Sequence, residues 1–144
     1  MDTIFFHLAP EDSDLVPQKQ HADDAAYDLR ASKDLVIAPG EFVGVPTGVH
    51  LEMPVEYAAQ VRPRSGLALK HGITVLNSPG TIDAGYRGEI CAILINHSRV
   101  PFEIHRGDRI AQLLFEKLPQ VQLIAREELS SSGRGEAGFG STGV

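Results

Sequence analysis

Turn-forming residues interrupt this chain at short intervals: Pro39-Gly40, Pro46, Pro54, Pro63, Pro79-Gly80, Gly85, Pro101, Gly107 and Pro119. A proline removes a backbone donor and a glycine weakens any helix it sits in, so long helices cannot pass through such a series. With 14 glycines and 9 prolines in 144 residues, a bundle of long helices is excluded. The stretches between the turns read as strands. Residues 3–8 are rich in β-branched and aromatic side chains. Residues 47–53 alternate, with Thr47, Val49, Leu51 and Met53 on one face and Gly48, His50 and Glu52 on the other. Residues 89–95 and 109–115 are apolar on both parities, the pattern of strands buried on both faces or lying at a subunit interface. Residues 121–125 are a further short candidate, and residues 66–71 are the only helical one. This rhythm predicts an all-β sandwich or jelly roll with one short helix.

Composition narrows the class. Apolar residues make up 42% and charged residues 22%, ordinary values for a globular domain and unlike those of a wholly disordered chain. The net charge of −6 disfavours general nucleic-acid binding, which calls for a basic surface. One cysteine, Cys91, excludes an internal disulfide framework and a multi-cysteine zinc site. Its place in an apolar run predicts core packing rather than nucleophilic chemistry. Met1-Asp2-Thr3 lacks the basic start of a signal peptide, and no apolar run approaches membrane-spanning length. A cytoplasmic protein with no membrane partner is expected.

The acidic residues are unevenly spread. With 19 acids in 144 residues, even spacing would put about three between Glu56 and Asp83, yet none occurs there. The same window carries Arg62, Arg64 and Lys70, with Arg64-Ser65-Gly66 just before the helical candidate. Guanidinium, hydroxyl and free N–H groups at such a point suit a phosphate; a solvated loop with a chance gap in its acids fits equally well. Asp83 closes the window inside Gly80-Thr-Ile-Asp-Ala-Gly-Tyr-Arg-Gly88, which has the look of a hairpin. A carboxylate beside a phosphate can activate a water or hold a cation; a turn aspartate bonding its own backbone is the plainer alternative. Asp23, Asp24 and Asp28 form an acidic group near the N-terminus, one member of which could support Mg²⁺. The six histidines form no metal-binding spacing, and no Ser/His/Asp order reads as a triad. No GxxxxGK[ST] occurs, and no GxGxxG joins a strand to a helix, which removes P-loop and Rossmann readings. Residues 130–144 are rich in glycine and serine, the composition of a frayed end. Arg134, Phe139, Ser141 and Thr142 are spaced through those glycines, so the same stretch could fold over a phosphorylated base.

Five segments, in order, resemble the motifs of the homotrimeric dUTP pyrophosphatase (dUTPase) family. They are Ala25-Ala-Tyr-Asp-Leu-Arg-Ala31, Arg62-Pro-Arg-Ser-Gly-Leu-Ala68, Asn77-Ser-Pro-Gly-Thr-Ile-Asp-Ala-Gly-Tyr-Arg-Gly-Glu89, Arg106-Gly-Asp-Arg-Ile-Ala-Gln112 and Arg134-Gly-Glu-Ala-Gly-Phe-Gly-Ser-Thr-Gly143. The resemblance runs from near residue 25 to the end; Ala26 stands where the family commonly has glycine. It implies a jelly-roll-like β-clip domain over residues 1–129 and a flexible arm over residues 130–144 that closes over the active site. It also implies a homotrimer with sites at subunit interfaces, and hydrolysis of dUTP to dUMP and pyrophosphate with Mg²⁺. That reaction keeps uracil out of DNA and supplies dUMP for dTMP synthesis.

Residue by residue, the resemblance makes Asp83 the carboxylate that activates water for attack on the α-phosphorus. Tyr86 packs against deoxyribose and leaves no room for a 2′-hydroxyl, and Asn77 belongs to the uracil-reading segment. Arg64, Ser65, Gly66 and Gln112 bind phosphate, and Asp28 supports the metal through water. In the arm, Arg134 holds the γ-phosphate, Phe139 covers uracil, and Gly140, Ser141 and Thr142 make further contacts. Two other functions are alternatives: a dCTP deaminase or bifunctional deaminase/dUTPase of the same fold, against which the Ile82–Gly88 hairpin and the complete arm speak, and a non-catalytic nucleotide-binding module, which would keep the anion loop but need not keep Asp83 or the arm.

Overall fold

The structure, a computed structural model, describes residues 1–143. Eleven strands and one helix follow in the order β1 (Phe5–His7), β2 (Tyr27–Arg30), β3 (Leu35–Ile37), β4 (Phe42–Pro46), β5 (His50–Glu52), β6 (Tyr57–Arg62), α1 (Ser65–His71), β7 (Ile73–Val75), β8 (Gly80–Asp83), β9 (Cys91–Asn96), β10 (Phe102–Ile104) and β11 (Arg109–Lys117). A 3-10 turn at Pro10–Asp12 precedes β2. The strands pair antiparallel into four small sheets, β1-β5, β10-β3, β2-β11-β6-β8 and β4-β9-β7. Neighbours in space are mostly distant in sequence, and the result is a jelly-roll-like β fold with one short helix. No helix among the described residues is long and apolar enough to cross a membrane.

The core forms where the inward faces of these sheets meet. Leu29, Val45, Val49, Ala92, Leu94 and Ala111 are all fully buried. Thr47, Val49, Leu51 and Met53 are buried together, as the alternation predicts, although only residues 50–52 are laddered. Asn96 and Thr47 are fully buried polar side chains, and Asn96 is the larger. Its amide nitrogen donates to the carbonyls of Ile37 and Val100, while its amide oxygen accepts from the backbone N–H and hydroxyl of Ser98. A buried amide with both ends hydrogen-bonded ties β9, β3 and the loop before β10 together.

Several sequence expectations are corrected. Residues 3–8 shorten to β1, whose three side chains are exposed. Strand β9 is not buried on both faces: Ala92, Leu94 and Asn96 point inward, whereas Cys91 is exposed and Ile93 and Ile95 are half-buried. Strand parity therefore takes Cys91 out of the core. Residues 121–125 form no strand, and Val121 and Leu123 are 77% and 95% exposed. Strand β11 ends at Lys117, two residues short of Pro119, and residues 118–125 ladder with no other strand among the described residues. The expected hairpin has one laddered limb only, because β8 pairs with β6 while residues 84–90 return without a ladder. Beyond Lys117 the described residues form no helix or strand, and they are almost all exposed. The glycines at 133, 135 and 138 have dinucleotide-loop spacing but join no strand to a helix. Val144, the last residue of the expected arm, lies outside the described residues.

Candidate active site

Strand alternation sets out the first part of the site. In β8, Gly80 and Ile82 are buried, so Thr81 and Asp83 face outward. The register with β6 places Asp83 opposite Ala58 and Gly80 opposite Val61. After Asp83 the chain reverses, closed by the Tyr86 N–H donating to the Asp83 carbonyl at 3.1 Å. The Arg87 guanidinium sits inside this turn, donating to the carbonyls of Ala84, Tyr86 and Leu51 at 2.7, 3.3 and 3.4 Å. Tyr86 folds over Gly88, where a Cβ would collide with its ring and hydroxyl. Its hydroxyl donates to the Glu89 carbonyl at 3.0 Å. Only glycine at residue 88 allows this posture. Asn77 approaches from the other side, its amide nitrogen 3.3 Å from where a Cβ on Gly80 would lie. Asn77, Asp83 and Tyr86 line one cavity of about 300 Å³, with Val61, Ile93 and Cys91 among its other walls. The structure thus brings together three of the predicted residues around an apolar slot with a carboxylate at its edge.

The second part lies at the start of α1 and on β11. Arg64 is extended at the helix N-cap, but its side chain does not cap the helix; it donates to the Arg109 carbonyl at 2.9 Å. Ser65 and Gly66 open the helix, which has no acid in its first turn and ends on Lys70, His71 and a left-handed Gly72. Gln112 pairs with Asp28 on β2 and with Arg62 on β6. Arg64 and Arg109 line a smaller cavity of about 240 Å³ that shares no wall with the first. Sequence reasoning did not single out Arg109, although it lies within the Arg106–Gln112 segment. It stands between two predicted site residues: its carbonyl accepts from Arg64 and its guanidinium donates to Asp28.

Asp28 separates from its acidic neighbours. It is 8% exposed, and one carboxylate oxygen accepts from Gln20 at 2.9 Å and Arg109 at 3.4 Å. Asp23 is exposed and Asp24 half-buried at a turn, where the Asp24 carboxylate accepts from the His21 N–H. The three aspartates therefore form no common cluster. Among the described residues no group of three or more His, Cys, Asp or Glu is arranged to hold a metal. The donors present suit an ion that takes few protein ligands and keeps its waters, as Mg²⁺ does. They do not suit a protein-built cage.

The third part is the tail. Arg134 Nε donates to the Ala137 carbonyl at 2.6 Å, and Phe139 is fully exposed with a positive φ of 52°. Gly140, Ser141 and Thr142 lie in the same exposed stretch. In one chain the predicted residues fall into three separate groups: the β8 loop, the α1/β11 corner, and the tail.

Four small antiparallel sheets with one short helix place the chain in the class of jelly-roll-like β-proteins. More specifically, the chain belongs to the dUTPase family, whose family model, dUTPase, matches residues 13–143. It is 52% identical over 134 residues to a deoxyuridine 5′-triphosphate nucleotidohydrolase of Gloeothece citriformis, covering 93% of this chain and 92% of that one. It is 50% identical over 141 residues to the protein of the same name from Clostridium tetani, covering 98% and 97%. Among solved structures, the Staphylococcus bacteriophage 80alpha dUTPase with dUPNHPP matches with a TM-score of 0.91 at 28% identity over the whole of both chains.

Proposed function

We propose that this protein hydrolyses dUTP to dUMP and pyrophosphate. The observation that carries the reading is the cavity with Asn77, Asp83 and Tyr86 on its wall, in a chain about half identical to named dUTP nucleotidohydrolases. Asp83 takes a proton from a water whose oxygen attacks the α-phosphorus. The bond from that phosphorus to the oxygen bridging the β-phosphate breaks, and pyrophosphate leaves with the electron pair. No covalent enzyme intermediate is needed, because phosphoryl chemistry depends chiefly on positioning and charge neutralisation. Tyr86, braced on Gly88 and Glu89, meets the deoxyribose and excludes a 2′-hydroxyl. Asn77 and the neighbouring backbone read the uracil edge. Arg64, Ser65, Gly66 and Gln112 bind the phosphates.

A bound Mg²⁺ would neutralise triphosphate charge and order its conformation. Asp28 would hold it through water with the oxygen that Gln20 and Arg109 leave free. The arm, residues 130–144, closes over bound substrate, with Arg134 on the γ-phosphate, Phe139 on uracil, and Gly140, Ser141 and Thr142 against the phosphates. The active unit is a homotrimer in which three chains each supply part of a site. The separation of the predicted residues into three groups in one chain supports this, as do the exposed apolar side chains of residues 121–124 and the half-open face of β9. The reaction belongs in the cytoplasm with the nucleotide pool. No observation favours dCTP deamination or non-catalytic binding.

Asp83→Asn tests the chemistry. Turnover falls by about 10²- to 10⁴-fold, the usual worth of a general base, while dUTP binding stays near that of the parent. Pyrophosphate release at the parent rate would overturn the assignment, and ammonia release from dCTP would overturn the substrate.

A further inference from the structure

We propose that His50 is a positioning residue for the β8 loop and a determinant of deoxyribose selectivity. The inference rests on Asp83 and Tyr86 acting as base and sugar contact in dUTP hydrolysis. The outgoing limb of that loop is laddered to β6, but the returning limb has no strand partner. The returning limb is held instead by residues 47–51. Thr47 donates through its hydroxyl to the Ile90 carbonyl at 2.6 Å, and the Ile90 N–H donates to the Val49 carbonyl at 2.8 Å. The Gly48 N–H donates to the Glu89 carboxylate at 2.8 Å. Nearer the turn, the short link to the loop backbone is His50 Nδ1 donating to the Arg87 carbonyl at 2.8 Å.

A carbonyl can only accept, so Nδ1 carries the proton in this arrangement. The bonded peptide lies between Tyr86, whose ring meets the sugar, and Gly88, on which that ring rests. Moving the Arg87 carbonyl tilts the seat of the ring. His50 is itself held: β1 pairs with β5 with His7 opposite His50, and the two rings lie 6.0 Å apart. The Arg87 guanidinium reaches back to the Leu51 carbonyl on the same strand. The histidine is thus the donor through which β5 sets the posture of a loop it does not ladder. Its hydrogen bond goes to the Arg87 carbonyl rather than to a predicted substrate contact, and its effect is transmitted through that peptide.

The test compares kcat/KM for dUTP and UTP in three variants. His50→Leu removes the donor, and the dUTP-over-UTP ratio falls about tenfold, equivalent to about 1.4 kcal/mol. His50→Asn places an amide N–H where Nδ1 stood and keeps the ratio within about twofold of the parent, since one good donor restores the bond. His50→Phe keeps a ring beside His7 without the donor, so it serves if the leucine variant does not fold, and it loses selectivity to the same extent. A donor-less variant with the parent ratio, or an asparagine variant that loses as much as leucine, would overturn the inference. Asp83→Asn is measured in parallel. If it hydrolyses dUTP at the parent rate, the underlying reading falls and this one with it. If it is inactive while His50→Phe keeps full selectivity, only the role of His50 falls.

Discussion

At the scale of single residues, the charged side chains divide into those proposed to meet ligand and those that hold the fold. Arg106 belongs to the second kind. Its guanidinium donates to both carboxylate oxygens of Asp14 at 2.8 and 2.9 Å, to Asp12 at 3.2 Å and to the Glu11 carbonyl at 2.9 Å. Its backbone N–H donates to Asp34 at 2.7 Å. It clamps the segment before β2 to the turn from which β11, with Arg109 and Gln112, departs. The hydrogen bond from Arg106 holds the Asp14 carboxyl down at about 2, below its ordinary 3.8. Because the folded value is the lower one, this contact stabilises the protein fully above about pH 4 and is lost as pH falls toward 2. Asp14→Asn should therefore lower stability at neutral pH and abolish that share of the acid dependence. Denaturant midpoints measured from pH 6 down to pH 2, at fixed chain concentration, check it. Midpoints that converge with the parent only at the acid end support the clamp, and parallel curves refute it. Because the pair is exposed, the shift is small.

At the scale of elements, α1 has no fully buried residue and carries an exposed Leu69. Its hold on the fold comes from packing against β7 and from its C-terminal cap. The Gly72 N–H donates back to the Ala68 carbonyl, and its φ of +66° is one that a side chain resists. A Cβ at Gly72 would also stand 3.2 Å from the Ser98 backbone nitrogen, in the loop fixed by Asn96. Gly72→Ala should destabilise the fold by about 1 to 2 kcal/mol. Because α1 carries Ser65 and Gly66, it should also weaken substrate binding more than it slows turnover. Urea unfolding and a comparison of KM with kcat would show this, and a change confined to kcat would refute it. The presence of this helix was legible in residues 66–71 because the C-capping glycine and the lack of β-branched residues are local signals. The missing second limb of the β8 hairpin was not. Its partner is the segment 47–51, too distant in sequence for a turn pattern to reveal.

At the scale of the molecule, the tail is the part whose role experiment tests most directly. Deleting residues 134–144 should leave the β domain folded and its oligomeric state unchanged, since none of the described residues among them enters a strand or the core. Turnover of dUTP should fall by about a hundredfold or more, the worth of a lost charge-stabilising contact in a closed site. Size-exclusion chromatography and pyrophosphate release measure the two halves of this expectation. Dissociation or unfolding on truncation would make the tail structural rather than a lid.

The sequence alone determined what short-range rules can carry. These are the β class, read from the spacing of turn residues; the buried face of residues 47–53, read from parity; and Asp83 as a candidate, read from the acid-free window it closes and from its motif. Tertiary structure decided what depends on residues meeting from far apart. Cys91 left the core because β9 has one inner face rather than two. Asp28 parted from Asp23 and Asp24 to pair with Arg109 across two strands. His50 reached the Arg87 carbonyl across 37 residues, and Arg106 reached Asp14 across 92. Periodicity reports which way a side chain points from its own backbone. Which group it meets is set by the packing of the antiparallel strands, and no local pattern encodes that.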